Sequence, residues 1–103
     1  MIFETKDYII RIDRIQYNKY RYASWKQGQS LKDKPDIILE NGEYFADGTG
    51  GNWHITFKNG IYRYELYRYI IGKDETPDAE LLVYKNDDLI LNQDIIHIKD
   101  SFY

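Results

Sequence analysis

The chain has 103 residues, no cysteine and a formal charge of −3. That length bounds it to one domain, residues 1–103, with room for a real core. The missing cysteines exclude disulfides, thiolate metal sites and cysteine catalysis, and the acidic balance argues against a nucleic-acid binder, which needs a basic stripe. Aromatic residues reach 17%, and 11 of them are tyrosine. Tyrosine joins an apolar ring to a wet hydroxyl, so it suits half-buried strand positions and binding faces alike. No apolar run approaches the ~20 residues of a membrane-spanning helix, so no membrane span is expected. Glu4 and Asp7 stand where a secretory signal carries basic residues. The reading is cytoplasmic if Met1 is the native start and extracytoplasmic if the chain is a mature fragment.

Taken in chain order, Tyr8, Ile10 and Ile12 alternate with Arg11 and Asp13, which predicts a first strand over residues 7–15. A turn at 17–20 leads into a second strand over 19–25. The polar segment 26–35 lacks helical periodicity and reads as a surface loop. A short strand over 36–40 and a hairpin turn at Asn41-Gly42 are expected next, then a strand over 43–46. Residues 47–52, four of them glycine or asparagine, read as a flexible loop. The strongest local signal follows. Alternating runs over 53–58 and 61–71 flank Asn59-Gly60, the pattern of a tight β-hairpin. A loop at 72–78 and a last hairpin, 80–85 and 89–98 around Asn86-Asp87, complete the chain.

Strands at this spacing predict an all-β domain, an antiparallel meander closed into a barrel of about eight strands, with a β-sandwich as the alternative. Along the tyrosine-rich arm the apolar positions slip by one after Leu66. A β-bulge at Leu66–Tyr67 would repair that slip. Partial burial of both strand faces would remove the need for one.

No spacing points to catalysis. His54 and His97 each alternate with apolar neighbours and read as ordinary strand residues, His54 facing solvent. No His-x-His or His-x₃-His pair suggests zinc. Ser24, Ser30 and Ser101 sit in no nucleophile elbow. The loop 47–52 lacks both the helix and lysine of a phosphate cradle and the carboxylate run of a calcium loop. No enzyme activity, cofactor or metal is therefore expected. The aromatics around that loop, Tyr44, Phe45 and Trp53, with Asp47 and Asn52, form together with the loop at 72–78 the candidate contact surface for a protein or glycan partner.

The segment Ala79–Gln93, with its Val-Tyr-Lys hairpin, resembles the closing hairpin of the bacterial membrane-bound inhibitors of c-type lysozyme. The likeness covers the C-terminal half of the chain. It implies a small β-barrel that inserts a loop into the lysozyme cleft. The family's serine motif falls at Asn59-Gly60, and its contact lysine at Lys73. Asn59 replaces the serine, Arg63 stands at the motif tyrosine, and the family's cysteines are missing. The Tyr22–Trp25 and Gly50–Asn52 stretches are also similar to small bacterial proteins with no assigned activity. The leading expectation is a non-enzymatic binding module, lysozyme-inhibitor-like in one version. The alternatives are a small-ligand barrel or enzyme with a tyrosine-lined cavity, and a structural or assembly subunit.

Overall fold

The computed structural model describes residues 1–48, 50–70 and 76–99. Among them there is no helix. Nine strands form one antiparallel sheet that curls into a half-barrel. They are Ile2–Glu4 (β1), Tyr8–Gln16 (β2), Lys19–Lys26 (β3), Ile37–Ala46 (β4), Trp53–Asn59 (β5), Tyr62–Arg68 (β6), Ala79–Lys85 (β7), Asp88–Asp94 (β8) and His97–Lys99 (β9). Each strand from β1 to β8 pairs with the next, and β9 returns to pair with β1.

The sheet is not closed by pairing of its two end strands, as a complete barrel requires. Among the described residues its edges are tied together at one end. The predicted strand over 89–98 breaks at Ile95-Ile96, because these residues change partners. Ile95 N donates to Ala79 O on the β7 side, and Ile96 N donates to Glu4 O on the β1 side. The Gln93 Nε2 to Asp7 Oδ2 bond, 2.7 Å, ties the same end.

The inner face follows the period-two pattern. Ile10 and Ile12 of β2, Tyr22 of β3, Ile55 and Phe57 of β5, Leu66 of β6 and Leu81 and Val83 of β7 are buried in one core with Phe3 and Leu39. β-Branched and aromatic residues pack well on such a pleated, half-buried surface.

The turns explain the register. Asn86 and Asp87 both take positive φ, 50° and 67°, as a two-residue I′ hairpin requires. In the main hairpin the strands pair from Asn59 against Tyr62. Its two-residue turn is therefore Gly60-Ile61, one position later than the dipeptide suggests, with Gly60 at φ 63°.

Asn41-Gly42 makes no hairpin. Both residues lie inside β4, where Tyr20 pairs with Gly42 and Tyr22 with Leu39, so one extra residue sits on β4. Asn41 absorbs it at φ 59°. This bulge uses positive φ at one residue, as a tight hairpin turn does, and asparagine tolerates it in either setting. The bulge sits at the corner where β4 leaves β3, through residues 37–42, and takes up β5 through 43–46.

The bulge expected at Leu66–Tyr67 is absent. β6 pairs without interruption with β5 and β7 from Tyr62 to Arg68. Its two faces are both partly covered, so the slip in the apolar pattern needs no extra residue. β6 ends at Arg68, short of the expected Ile71: Tyr69 and Ile70 lie beyond the strand, and Ile71 lies outside the described residues.

The segment after β3 is polar but ordered. Trp25 points to the outer face of the sheet and is 1% exposed. Its Nε1–H donates to Asp33 O at 2.8 Å, and the Arg11 guanidinium lies 5.4 Å from its ring centre. The segment folds back over the indole as a second, external layer.

Candidate functional site

The outer face of β4, β5 and β6 carries a ladder of rings. Register dictates it. Phe45 pairs with His54, and His54 with Tyr67. Directly opposed residues on one face of an antiparallel pair stand close enough for their side chains to touch. Phe45 and His54 stack with centres 5.1 Å apart, His54 and Tyr67 at 4.6 Å, and Tyr67 and Tyr69 at 6.1 Å. The interplanar angles, 21°, 23° and 14°, keep the four rings nearly parallel. His54 and Tyr67 each stack between two neighbours, while Phe45 and Tyr69 end the row with one neighbour each. Phe45, at one end, is 43% exposed.

Carboxylates border the ladder. His54 Nδ1 lies 2.8 Å and 2.9 Å from the two oxygens of Asp47. A carboxylate only accepts, so Nδ1–H is the donor. Tyr69 donates its hydroxyl to Glu80 Oε1 at 2.9 Å. His54 thus faces outward, as its alternation predicts, but does not stand free in solvent. Its side chain is 18% exposed, clasped between two rings and a carboxylate.

The glycine loop is pinned at its ends. Asp47 N donates to Asn52 O at 2.8 Å, and Asn52 Oδ1 accepts from Ile70 N at 2.7 Å. These bonds carry Asp47 back over β5 to His54.

The structure divides the predicted contact residues. Phe45 and Asp47 join the ladder, and Asn52 shapes the loop behind them. Tyr44 and Trp53 lie on the opposite, inner face, with centres 5.7 Å apart, where Trp53 packs against the core. Asn59 stands at the far end of β5, about 20 Å from Trp53 at the ordinary rise of a strand. Lys73 lies outside the described residues. Sequence reasoning missed His54, Tyr67 and Tyr69 as site members. The signal was present in the alternation around the main hairpin, but Phe45 is added to the row only by the β4–β5 register.

Burial raises the Tyr67 phenol above its ordinary value near 10, helped by the Glu65 and Asp47 carboxylates. Burial also raises Tyr69, and its hydrogen bond to Glu80 adds to the shift. On the inner face Tyr22 and Tyr64 are raised, again chiefly by burial. For an acid whose folded pKa is raised, both states are neutral below the unfolded pKa, and the stabilisation is complete there. Above it the unfolded chain ionises first, so stability falls as pH climbs. The urea midpoint is therefore expected to hold up to about pH 10, the ordinary tyrosine value, and to drop between about pH 10 and about pH 12. A midpoint unchanged across that window counts against these burials.

Among the described residues no group of three or more His, Asp or Glu is placed to hold a metal ion, and no helix is long and apolar enough to cross a membrane. Fold and site together define an all-β protein with an aromatic, carboxylate-bordered outer sheet face. Compared with family models, curated proteins and solved structures, the chain matches none of them.

Proposed function

We propose that this chain is a non-enzymatic binding module that docks on a protein partner through the Phe45–His54–Tyr67–Tyr69 face. The observation that carries the reading is the ring ladder, half-exposed at Phe45 and edged by Asp47 and Glu80. Rigid aromatic side chains supply contact area at little entropic cost and dominate protein interfaces. Because His54 and Tyr67 each stack between two neighbours, the row offers a sugar a free ring face only at its ends. His54 is held by Asp47 and its neighbours, which supports a preorganised contact surface.

Inhibition of a c-type lysozyme is the specific version suggested by the resemblance of residues 79–93. The test pairs the native chain with Phe45→Ser and Tyr67→Ser. Each is titrated into a c-type lysozyme turnover assay and, separately, against soluble oligosaccharides. The expected result is inhibition that falls by about tenfold or more in either variant, the scale of a lost hot-spot residue. Unchanged turnover at large molar excess sinks the lysozyme version. Oligosaccharide binding that both substitutions abolish replaces the protein partner with a glycan. Binding indifferent to both substitutions places the contact elsewhere.

A further inference from the structure

We propose that the inner face of the half-barrel holds a second site, for a small, uncharged, single-ring molecule that carries a hydrogen-bond acceptor. A cavity of about 180 Å³ opens on the sheet's inner face beside its β8 edge, bordered by residues of β2, β3 and β4 on one side and of β6, β7 and β8 on the other. An apolar cavity of roughly 150 Å³ suffices to take up benzene, so the size fits one ring and its substituent.

The lining selects the chemistry. The hydroxyl-bearing side chains of Tyr8, Tyr22, Tyr64 and Ser24 border the cavity from β2, β3 and β6, and Val83 with its aliphatic neighbours forms the rest of the wall. Among the described residues no Asp, Glu, Lys, Arg or His lines it. An ion entering would lose its hydration with no opposite charge to replace it. A neutral ring loses little and gains apolar contact. The Tyr8 and Tyr64 hydroxyls can donate to an entering acceptor.

A backbone irregularity shapes the mouth. Val83 pairs with Leu91 and Tyr84 with Leu89, so Ile90 is the extra residue of a bulge in β8. Its side chain borders the cavity while remaining 54% exposed. Bulges bend a strand and re-aim a side chain beside a site. Here the bulge sets an isoleucine at the rim of an apolar opening on the sheet's unpaired edge.

The experiment titrates the full chain with p-cresol and, as a charged control of similar size, benzoate, followed by amide and methyl NMR. p-Cresol is expected to shift signals of Tyr22, Val83 and Ile90 saturably, and benzoate to leave them in place. Val83→Phe, which fills the space, should weaken p-cresol binding by about tenfold or more through lost apolar burial. Leu91→Phe serves the same end should the first variant fail to fold. Phe45→Ser should leave p-cresol binding intact, so failure at the outer face and failure at the cavity are read separately. Absence of saturable shifts at millimolar p-cresol overturns the proposal. So does equal binding of benzoate, or binding that survives the filling of the cavity.

Discussion

Gly42→Ala is expected to destabilise the fold by about 1–3 kcal/mol or more, the range for overpacking a tight core. A Cβ at position 42 would lie 2.2 Å from Cε2 of Phe57 and 2.6 Å from its Cζ. Real Cβ atoms do not tolerate such contacts, so backbone or ring must move. The ring has nowhere to go. Phe57 is fully buried and packs edge-on against Tyr22 at 5.5 Å. The cost is steric and owes nothing to a left-handed backbone, which the bulge assigns to Asn41 instead. Urea unfolding of Gly42→Ala, Phe57→Leu and the double variant separates the causes. If the ring is the obstacle, alanine at 42 costs less once Phe57 is leucine, with a coupling of about 0.5–3 kcal/mol. Strict additivity of the two substitutions would show that the glycine serves another purpose.

This contact also marks where the sequence stopped being legible. Asn41-Gly42 and Asn59-Gly60 are the same dipeptide, yet one is buried in a strand and the other opens a turn. What separates them is long-range. Residues 37–39 pair with β3 and 43–46 with β5, so β4 must continue through its bulge, while after Asn59 the chain reverses at once and Tyr62 pairs back onto β5. Local turn preference cannot see those partners. The three residues of β1 are invisible for a related reason, since Ile2–Glu4 is a strand only because β2 and β9 flank it. Period-two alternation served well wherever one face met the core. It placed Ile10, Ile12, Ile55 and Phe57 inward and His54 outward, as the structure has them.

The candidate surface was half legible. Aromatic residues beside the glycine loop drew attention to Tyr44, Phe45 and Trp53 together, but neighbours along a strand point to opposite faces. Only Phe45 belongs to the outer ladder, while Tyr44 and Trp53 turn inward. The ladder draws its rings from three strands, and register alone brings them into one row.

The largest single loss is expected from Trp25→Ala, at about 3–5 kcal/mol, the usual cost of removing a buried tryptophan. The inner core would be untouched, since Trp25 lies on the other side of the sheet. What collapses is the external layer. The indole anchors the 26–36 segment by donating to Asp33 O. That segment is also tied at its start by Gln27, which donates to Asp7 O, Thr5 O and Tyr8 O, within itself by the Ser30 and Asp33 bonds, and at its end by Asp36 N to Ser24 O. Trp25→Phe retains most of the apolar contact but strands the Asp33 carbonyl, and should cost about 1–3 kcal/mol. The two variants also differ in a second readout. With alanine, the 26–36 segment is expected to become the first site of proteolytic cleavage and to lose amide protection ahead of the sheet. With phenylalanine it should remain protected. Equal cleavage of both variants and the native chain would mean that the polar segment holds itself in place, and that its cover of the tryptophan is incidental to its order.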